Sequence, residues 1–136
     1  MKYTPEFDST NSICRISVAG KIYCPNDADE LKQFARNFFV EHGCYHFLFD
    51  FKQAEIVLGT MGAFYTGVPQ REMAQALRPF KVAAVVPLIT EDLSFFEDVA
   101  INRGFNVHVF DDIDKAIEWL RPRGSNTLQK QLKQPF

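Results

Sequence analysis

The sequence predicts an α/β domain in which a mixed sheet of about four or five strands carries about four helices. Three observations carry this. Tyr45–Phe51 and Lys81–Leu88 are apolar on nearly every residue, as strands covered on both faces are. Apolar residues at helical spacing stand between these strand-like runs. The chain has 136 residues, the size at which one core buries most of its apolar surface.

Taken in order, Lys2–Asp8 is expected as a first strand, with Pro5 pointing to a sheet edge where a missing N–H does no harm. Asp8–Asn11 (DSTN) reads as a turn. Ser12–Gly20 alternates, with Cys14, Ile16 and Val18 on one face and Arg15 and Ser17 on the other. A helix follows. Asp27 and Glu30 have capping-box spacing, Leu31, Phe34, Ala35, Phe38 and Phe39 form its apolar stripe, and Gly43 stands where a C-terminal cap belongs.

Tyr45–Phe51 then returns parallel to the earlier strand as a central strand. The segment 52–78 is punctuated by Gly59, Gly62, Gly67 and Pro69. Pro69 is expected to open a short helix to Leu77, with Met73, Ala74 and Leu77 inward. After the strand Lys81–Leu88, Thr90 caps a helix that carries Glu91 and Asp92 in its first turn, packs through Leu93, Phe96, Val99 and Ala100, and ends at Gly104. Phe105–Phe110 is the last strand. Asp111 or Asp112 caps a closing helix that packs through Ile113, Ala116, Ile117 and Leu120. The domain is expected to span residues 1–120, with 121–136 a basic polar tail.

Composition narrows the function classes. A net charge of −2 lacks the basic footprint of a nucleic-acid binder. Charge is nevertheless uneven: residues 89–119 are rich in acids, whereas the tail carries Arg121, Arg123, Lys130 and Lys133 and no acid. Such a tail suits an acidic face of this chain or of a partner, and its segment 127–133 has weak helical spacing that would suit a homodimer contact. No apolar run approaches the ~20 residues of a membrane span, and no signal-peptide core is present, so a cytoplasmic location is expected. Cys14, Cys24 and Cys44 lack metal-ligand spacing and read as free thiols. Fourteen phenylalanines supply a bulky core with the capacity to line an apolar pocket.

No phosphate-binding glycine loop, nucleophile elbow or zinc motif occurs, so neither cofactor nor metal is expected. His42, His46 and His108 are scattered and read as packing or surface residues. Asp50 lies near the carboxyl end of the central strand, where open α/β sheets place ligands, and Glu55 follows in the expected loop. Without a nucleophile or oxyanion donor beside them, they carry no enzymatic assignment, and Asp50 also reads as a residue accepting loop N–H bonds. The segment from Ile56 to Tyr65 combines small residues, apolar side chains and a hydroxyl at a helix start. Thr60 there reads first as a cap and second as a phosphosite facing the helix dipole.

The central strand ending FLFDF at Phe47–Phe51, the glycine-containing loop after it, the strand KVAAVVP and the closing GFNVHVFDDIDKAIEWL together resemble a STAS domain of the SpoIIAA-like group. The resemblance covers about residues 12–120 and concerns fold rather than chemistry. It implies a bacterial regulatory domain that binds other proteins and is not an enzyme. In switch-type members, a serine or threonine that begins the helix after the central strand is phosphorylated, commonly with Asp before it. Here Leu58 and Gly59 precede Thr60, so the Asp-Ser pair is missing. The leading expectation is therefore a protein-binding surface formed by Asp50, Glu55, Leu58, Gly59, Thr60, Met61, Phe64 and Tyr65, without the usual switch. The alternative is a small apolar-ligand or lipid binder that uses the glycine loop and the Phe-rich core.

Overall fold

The computed structural model describes residues 1–68 and 71–121. Its strands are β1 (Lys2–Asp8), β2 (Ile13–Tyr23), β3 (His46–Val57), β4 (Lys81–Val85) and β5 (Asn106–Phe110). The helices are α1 (Asn26–His42), α2 (Gly59–Gly67), α3 (Arg71–Leu77), α4 (Glu91–Asn102) and α5 (Ile113–Leu120). The five strands lie in the order β1-β2-β3-β4-β5, with β1 antiparallel to β2 and every later pair parallel. This is the expected mixed sheet, with one helix more than anticipated because α2 forms between the central strand and α3.

Chain order equals sheet order, so the crossovers through α1, through α2 and α3, and through α4 all step in the same direction. Right-handed crossovers of that kind place every connecting helix on one face. Packing follows this rule. Cys14, Ile16, Val18, Phe47, Phe49, Val82 and Val107 form a single core with Leu31 and Ala35 of α1, Leu77 of α3, and Leu93, Phe96 and Ala100 of α4. The alternate residues Ile13, Leu48, Ala83 and Val85 meet only α5, through Ala116 and Leu120. Leu120 is wholly buried, and covering such a side chain stabilises the fold by roughly 1.5–3 kcal/mol.

Several local expectations hold. Asp8 Oδ1 accepts the Thr10 and Asn11 N–H groups in the first turn, and the bonds from Asn11 hold the Asp8 carboxyl below its usual pKa. Gly43 ends α1 at φ +72, donating its N–H to the Phe39 carbonyl. Thr90 Oγ1 accepts the Leu93 N–H at 3.2 Å, and Asp112 Oδ1 accepts the N–H groups of Asp114 and Lys115. Cys14, Cys24 and Cys44 are free.

Three expectations are corrected. The Asp27–Glu30 capping box does not form: the N-cap of α1 is Pro25, without a side-chain cap, and Asp27 reaches back to accept the Tyr23 N–H at 2.8 Å. The carboxylate thus fastens the end of β2 instead of the start of α1. Both central strands are longer than expected, β2 reaching Tyr23 and β3 reaching Val57, because they pair with each other past the end of β4. Conversely, β4 stops at Val85, short of Pro87. Pro69 as a helix opener, the inward side of Met73, and the tail from 122 onward with its homodimer contact lie outside the described residues.

Candidate functional site

The site begins where β4 ends. Asp50 pairs with Val85 at the last step of the β3–β4 ladder, whereas β3 continues alongside β2 as far as the Tyr23–Val57 pair. Across that stretch the register shifts: Ser17 pairs with Asp50, but Ala19 pairs with Gln53, so β3 carries one extra residue. Such a bulge reverses the side-chain alternation. Before it, Phe47, Phe49 and Phe51 face the helices; after it, Ala54 and Ile56 do.

The bulge also decides the fate of the two carboxylates. Glu55 is in strand β3 and not in a loop, and it lies roughly 16 Å along the strand from Asp50 at ~3.3 Å per residue. Asp50 sits in the strand as well, where it accepts the Lys52 N–H at 3.0 Å and pairs with Arg15 at 3.7 Å. The structure therefore does not bring Asp50 and Glu55 together as an acid/base pair. Nor does strand order reverse anywhere along the parallel part of the sheet, so the crevice that a reversal would open beside Asp50 has no counterpart here.

Helix α2 follows directly on β3. Gly59 takes φ +65, a left-handed backbone that glycine adopts without strain, and turns the chain into the helix. Thr60 is not the cap: Leu58 occupies that position without a side-chain bond, and the exposed Thr60 hydroxyl donates to Asp92 Oδ1 at 3.2 Å, tying the start of α2 to the start of α4. The small residues serve close approach within this chain. A Cβ on Gly62 would stand 3.1 Å from the Cys24 carbonyl oxygen, and one on Gly67 would stand 3.0–3.1 Å from Val99 Cγ1, the Ala100 nitrogen and the Phe96 oxygen. Met61 and Tyr65, one helical turn apart, are more than half exposed, and Val57 and Leu88 are exposed at the same end of the sheet. Phe64 is half-buried and stacks edge-on with Tyr65.

Beneath α2 lies a cavity of about 90 Å³. Its walls include Ile22, Phe49, Phe51, Ile56, Leu58, Phe96 and Phe105, so four of the fourteen phenylalanines line a pocket. Phe47 and Phe80 are solid core. Ile56, Leu58, Val86 and Leu93 also line a wider cleft of about 300 Å³ that reaches Gly59, Leu88 and Thr90. The cavity and the cleft thus share part of one wall.

Lys32 and Thr66 also line this wall, and both are buried, but the surface they give the cavity is apolar. Lys32 Nζ donates to the Thr66 carbonyl oxygen at 2.6 Å, stands 3.7 Å from Asp29 and lies 5.6 Å from the centre of the Phe105 ring. Burial pushes its pKa below the ordinary amine value, and Asp29 offsets part of that. Thr66 Oγ1 is buried without a hydrogen-bond partner. The Cys24 thiol beside it is raised by burial and partly lowered by the Thr66 hydroxyl, an influence that does not amount to a well-formed hydrogen bond.

Neither Lys32 nor Thr66 was among the residues singled out in the sequence. The signal was spacing: Ala28, Lys32, Ala35 and Phe39 fall on one face of α1, so Lys32 lies within the apolar stripe. Elsewhere, His108 Nδ1 stands 3.6 Å from Glu97 Oε2, which also accepts the Val109 N–H at 2.6 Å. Among the described residues, no group of three or more His, Cys, Asp and Glu side chains is arranged to hold a metal.

With sheet order, helix placement and the α2 surface in view, the architecture can be compared with solved structures. The anti-sigma factor antagonist SpoIIAA in its unphosphorylated form superimposes with a TM-score of 0.53 at 10% identity, over 87% of this chain and 96% of that one. The fold is SpoIIAA-like. An uncharacterised protein with a SpoIIAA-like fold from Shewanella loihica matches with a TM-score of 0.52 at 17% identity, over 88% of this chain and 92% of that one. An anti-sigma factor antagonist from Mycobacterium paratuberculosis gives 0.51 at 15% identity, over 88% and 94%. No protein-family model and no curated protein sequence matches the chain. The SpoIIAA-like resemblance seen in the sequence thus holds at the level of fold. No helix among the described residues is long and apolar enough to cross a membrane.

Proposed function

We propose that this chain is a non-catalytic, cytoplasmic regulatory domain that acts by binding another protein through the surface at the start of α2. The observation that carries the reading is the pair Met61 and Tyr65, large apolar side chains left more than half exposed on one face of α2. Leu88 is exposed on the β4–α4 connection, and Asp92, which the Thr60 hydroxyl contacts, supplies an acidic side chain at the start of α2. Exposed apolar patches with a polar rim are the usual form of a protein contact. Basic residues around an apolar anchor are the complementary chemistry on the partner. The fold shared with two anti-sigma factor antagonists supports this reading.

The reading includes no phosphorylation switch of the Asp-Ser type. A phosphoryl group on Thr60 would meet the Asp92 carboxylate that its hydroxyl now contacts, and like charges at that distance repel. The experiment is quantitative co-purification from the native host with wild type and with Met61→Asp/Tyr65→Asp. A partner retained by wild type and lost by the double variant supports the surface; equal recovery with both contradicts it.

A second reading, a small apolar-ligand binder, has its own observation. The cavity under α2 is walled by Phe49, Phe51, Phe96 and Phe105 and shares Ile56, Leu58, Val86 and Leu93 with the wall of a surface cleft. Native mass spectrometry of gently purified protein tests it: a copurifying small molecule supports the reading. An unadorned mass, together with no thermal shift from any apolar compound, contradicts it.

A further inference from the structure

We propose that the free edge of β3, residues Gln53–Val57, takes an extended segment of a partner protein as an added strand. The partner's apolar side chains enter the cleft beside Leu88, and a basic side chain lies against Asp92. The inference deepens the protein-binding reading and rests on it, since it gives the form in which a partner meets this end of the sheet.

The edge exists because β2 and β3 outrun β4. The β3–β4 ladder closes at the Asp50–Val85 pair, whereas β2 and β3 stay paired as far as Tyr23–Val57. Lys52 Nζ donates to the Asp111 carbonyl oxygen at 2.8 Å, so this side chain spans the end of β4. The open stretch therefore begins at Gln53 and runs for roughly 15 Å at ~3.3 Å per residue. Among the described residues, neither a strand nor a side chain hydrogen-bonds to it from the side opposite β2. Gln53, Glu55 and Val57 are exposed and Ala54 and Ile56 half-buried, so the stretch is open to solvent. A row of unpaired peptide groups is a template for another extended chain.

The cleft fixes the side chains. Past the bulge, Ala54 and Ile56 face the helices, and with Val86 and Leu93 they line the cleft of about 300 Å³ between this stretch and the β4–α4 connection. Side chains of an added strand alternate between faces. Those on the helix side enter the cleft, where small branched apolar groups meet Ala54, Ile56, Val86 and Leu93. Those on the other side stand in solvent beside Glu55 and are polar. Asp92 gives the cleft its charged side chain, and among the described residues neither Lys nor Arg lines it. A cation at the end of the added strand complements Asp92, and an anion there is repelled.

The test titrates the whole chain with the peptide acetyl-Lys-Thr-Val-Thr-Val-Thr-Lys-amide, with a counterpart carrying Glu at both ends, and with a fully N-methylated form that keeps the side chains and removes the backbone donors. The basic peptide is expected to bind at least ~10-fold more tightly than the N-methylated form, the scale of a few lost hydrogen bonds. It should bind roughly 3-fold more tightly than the acidic one, the scale of one exposed ion pair. Amide exchange on wild type should show added protection within Gln53–Val57, and Ala54→Arg, which puts a cation into the cleft, should abolish binding. The exchange measurement and the N-methylated peptide need no variant, so the test stands however Ala54→Arg folds. Equal binding by the basic and N-methylated peptides overturns strand addition, and protection confined to residues outside Gln53–Val57 overturns the site. Dimerisation that protects Gln53–Val57 without peptide assigns the edge to a second copy of this chain and overturns the partner segment. No binding by the basic peptide overturns the inference; the protein-binding reading falls with it only where wild type and Met61→Asp/Tyr65→Asp also recover partners equally.

Discussion

Lys32 Nζ hydrogen-bonds the Thr66 carbonyl oxygen at 2.6 Å, joining the middle of α1 to the last turn of α2 at the wall of the cavity. The bond keeps a charged amine inside an apolar core, and its consequence is a definite dependence on pH. Burial lowers the folded-state pKa of Lys32, so between that value and the ordinary 10.5 the unfolded chain binds more protons than the folded one. The cost of the buried charge is carried in full below the folded-state value and is relieved as pH rises through this window. The stability of wild type relative to Lys32→Met is therefore expected to increase as pH rises toward 10.5, measured by urea denaturation. Parallel or converse pH profiles would contradict the burial of the charge.

Gly67 sits where α2 meets α4, and two of the three atoms that a Cβ would crowd belong to the α4 backbone. Backbone atoms give way less easily than side-chain ends. Gly67→Ala should therefore cost about 1–3 kcal/mol by denaturant unfolding, despite the better helix propensity of alanine. A neutral or stabilising result would show that α2 stands further from α4.

Thr90 and Thr60 both stand near helix starts, yet only Thr90 caps one. Thr90→Ala should lose about 1 kcal/mol of stability. Thr60→Ala, at an exposed position, should stay within about 0.5 kcal/mol of wild type. Equal losses in the two variants would contradict the assignment of Leu58 as the N-cap of α2.

Burial raises the Cys14 thiol to about 12, with Cys44 adding to the shift. Because the unfolded thiol ionises near 9.0, the folded chain binds more protons over the window from about 9 to about 12, and Cys14 favours folding less as pH climbs through it. Iodoacetamide labelling at pH 8.5 should modify Cys24, which is less buried, well before Cys14. Early modification of Cys14 would mean that the sheet opens locally at β2.

Elements with strong periodicity were legible in the sequence, and those shaped by distant pairing were not. The alternation of Cys14, Ile16 and Val18, the cap at Thr90 and the stripe of α5 each express local rules, and each holds in the structure. The extension of β3 from Lys52 to Val57 has the sequence of a loop because Lys52, Gln53 and Glu55 are polar. It pairs with β2 past the end of β4, and of its three apolar residues only Ala54 and Ile56 face the core while Val57 is exposed, so the apolar alternation is short. Asp27 has the spacing of a cap but binds the end of β2, a choice set by where the chain enters α1. The charge of Lys32 masks its place on the apolar face of α1, and the burial of the Thr66 hydroxyl follows only from the packing of α1 and α2 on the sheet.

The central claim, a partner surface at the start of α2, is tested most directly by amide hydrogen exchange on the chain with and without its co-purified partner. The account predicts added protection in α2 and in the β4–α4 connection around Leu88, with β1 and α5 unchanged. Protection confined to β1 or to α5, with α2 exchanging as in the free chain, would contradict it.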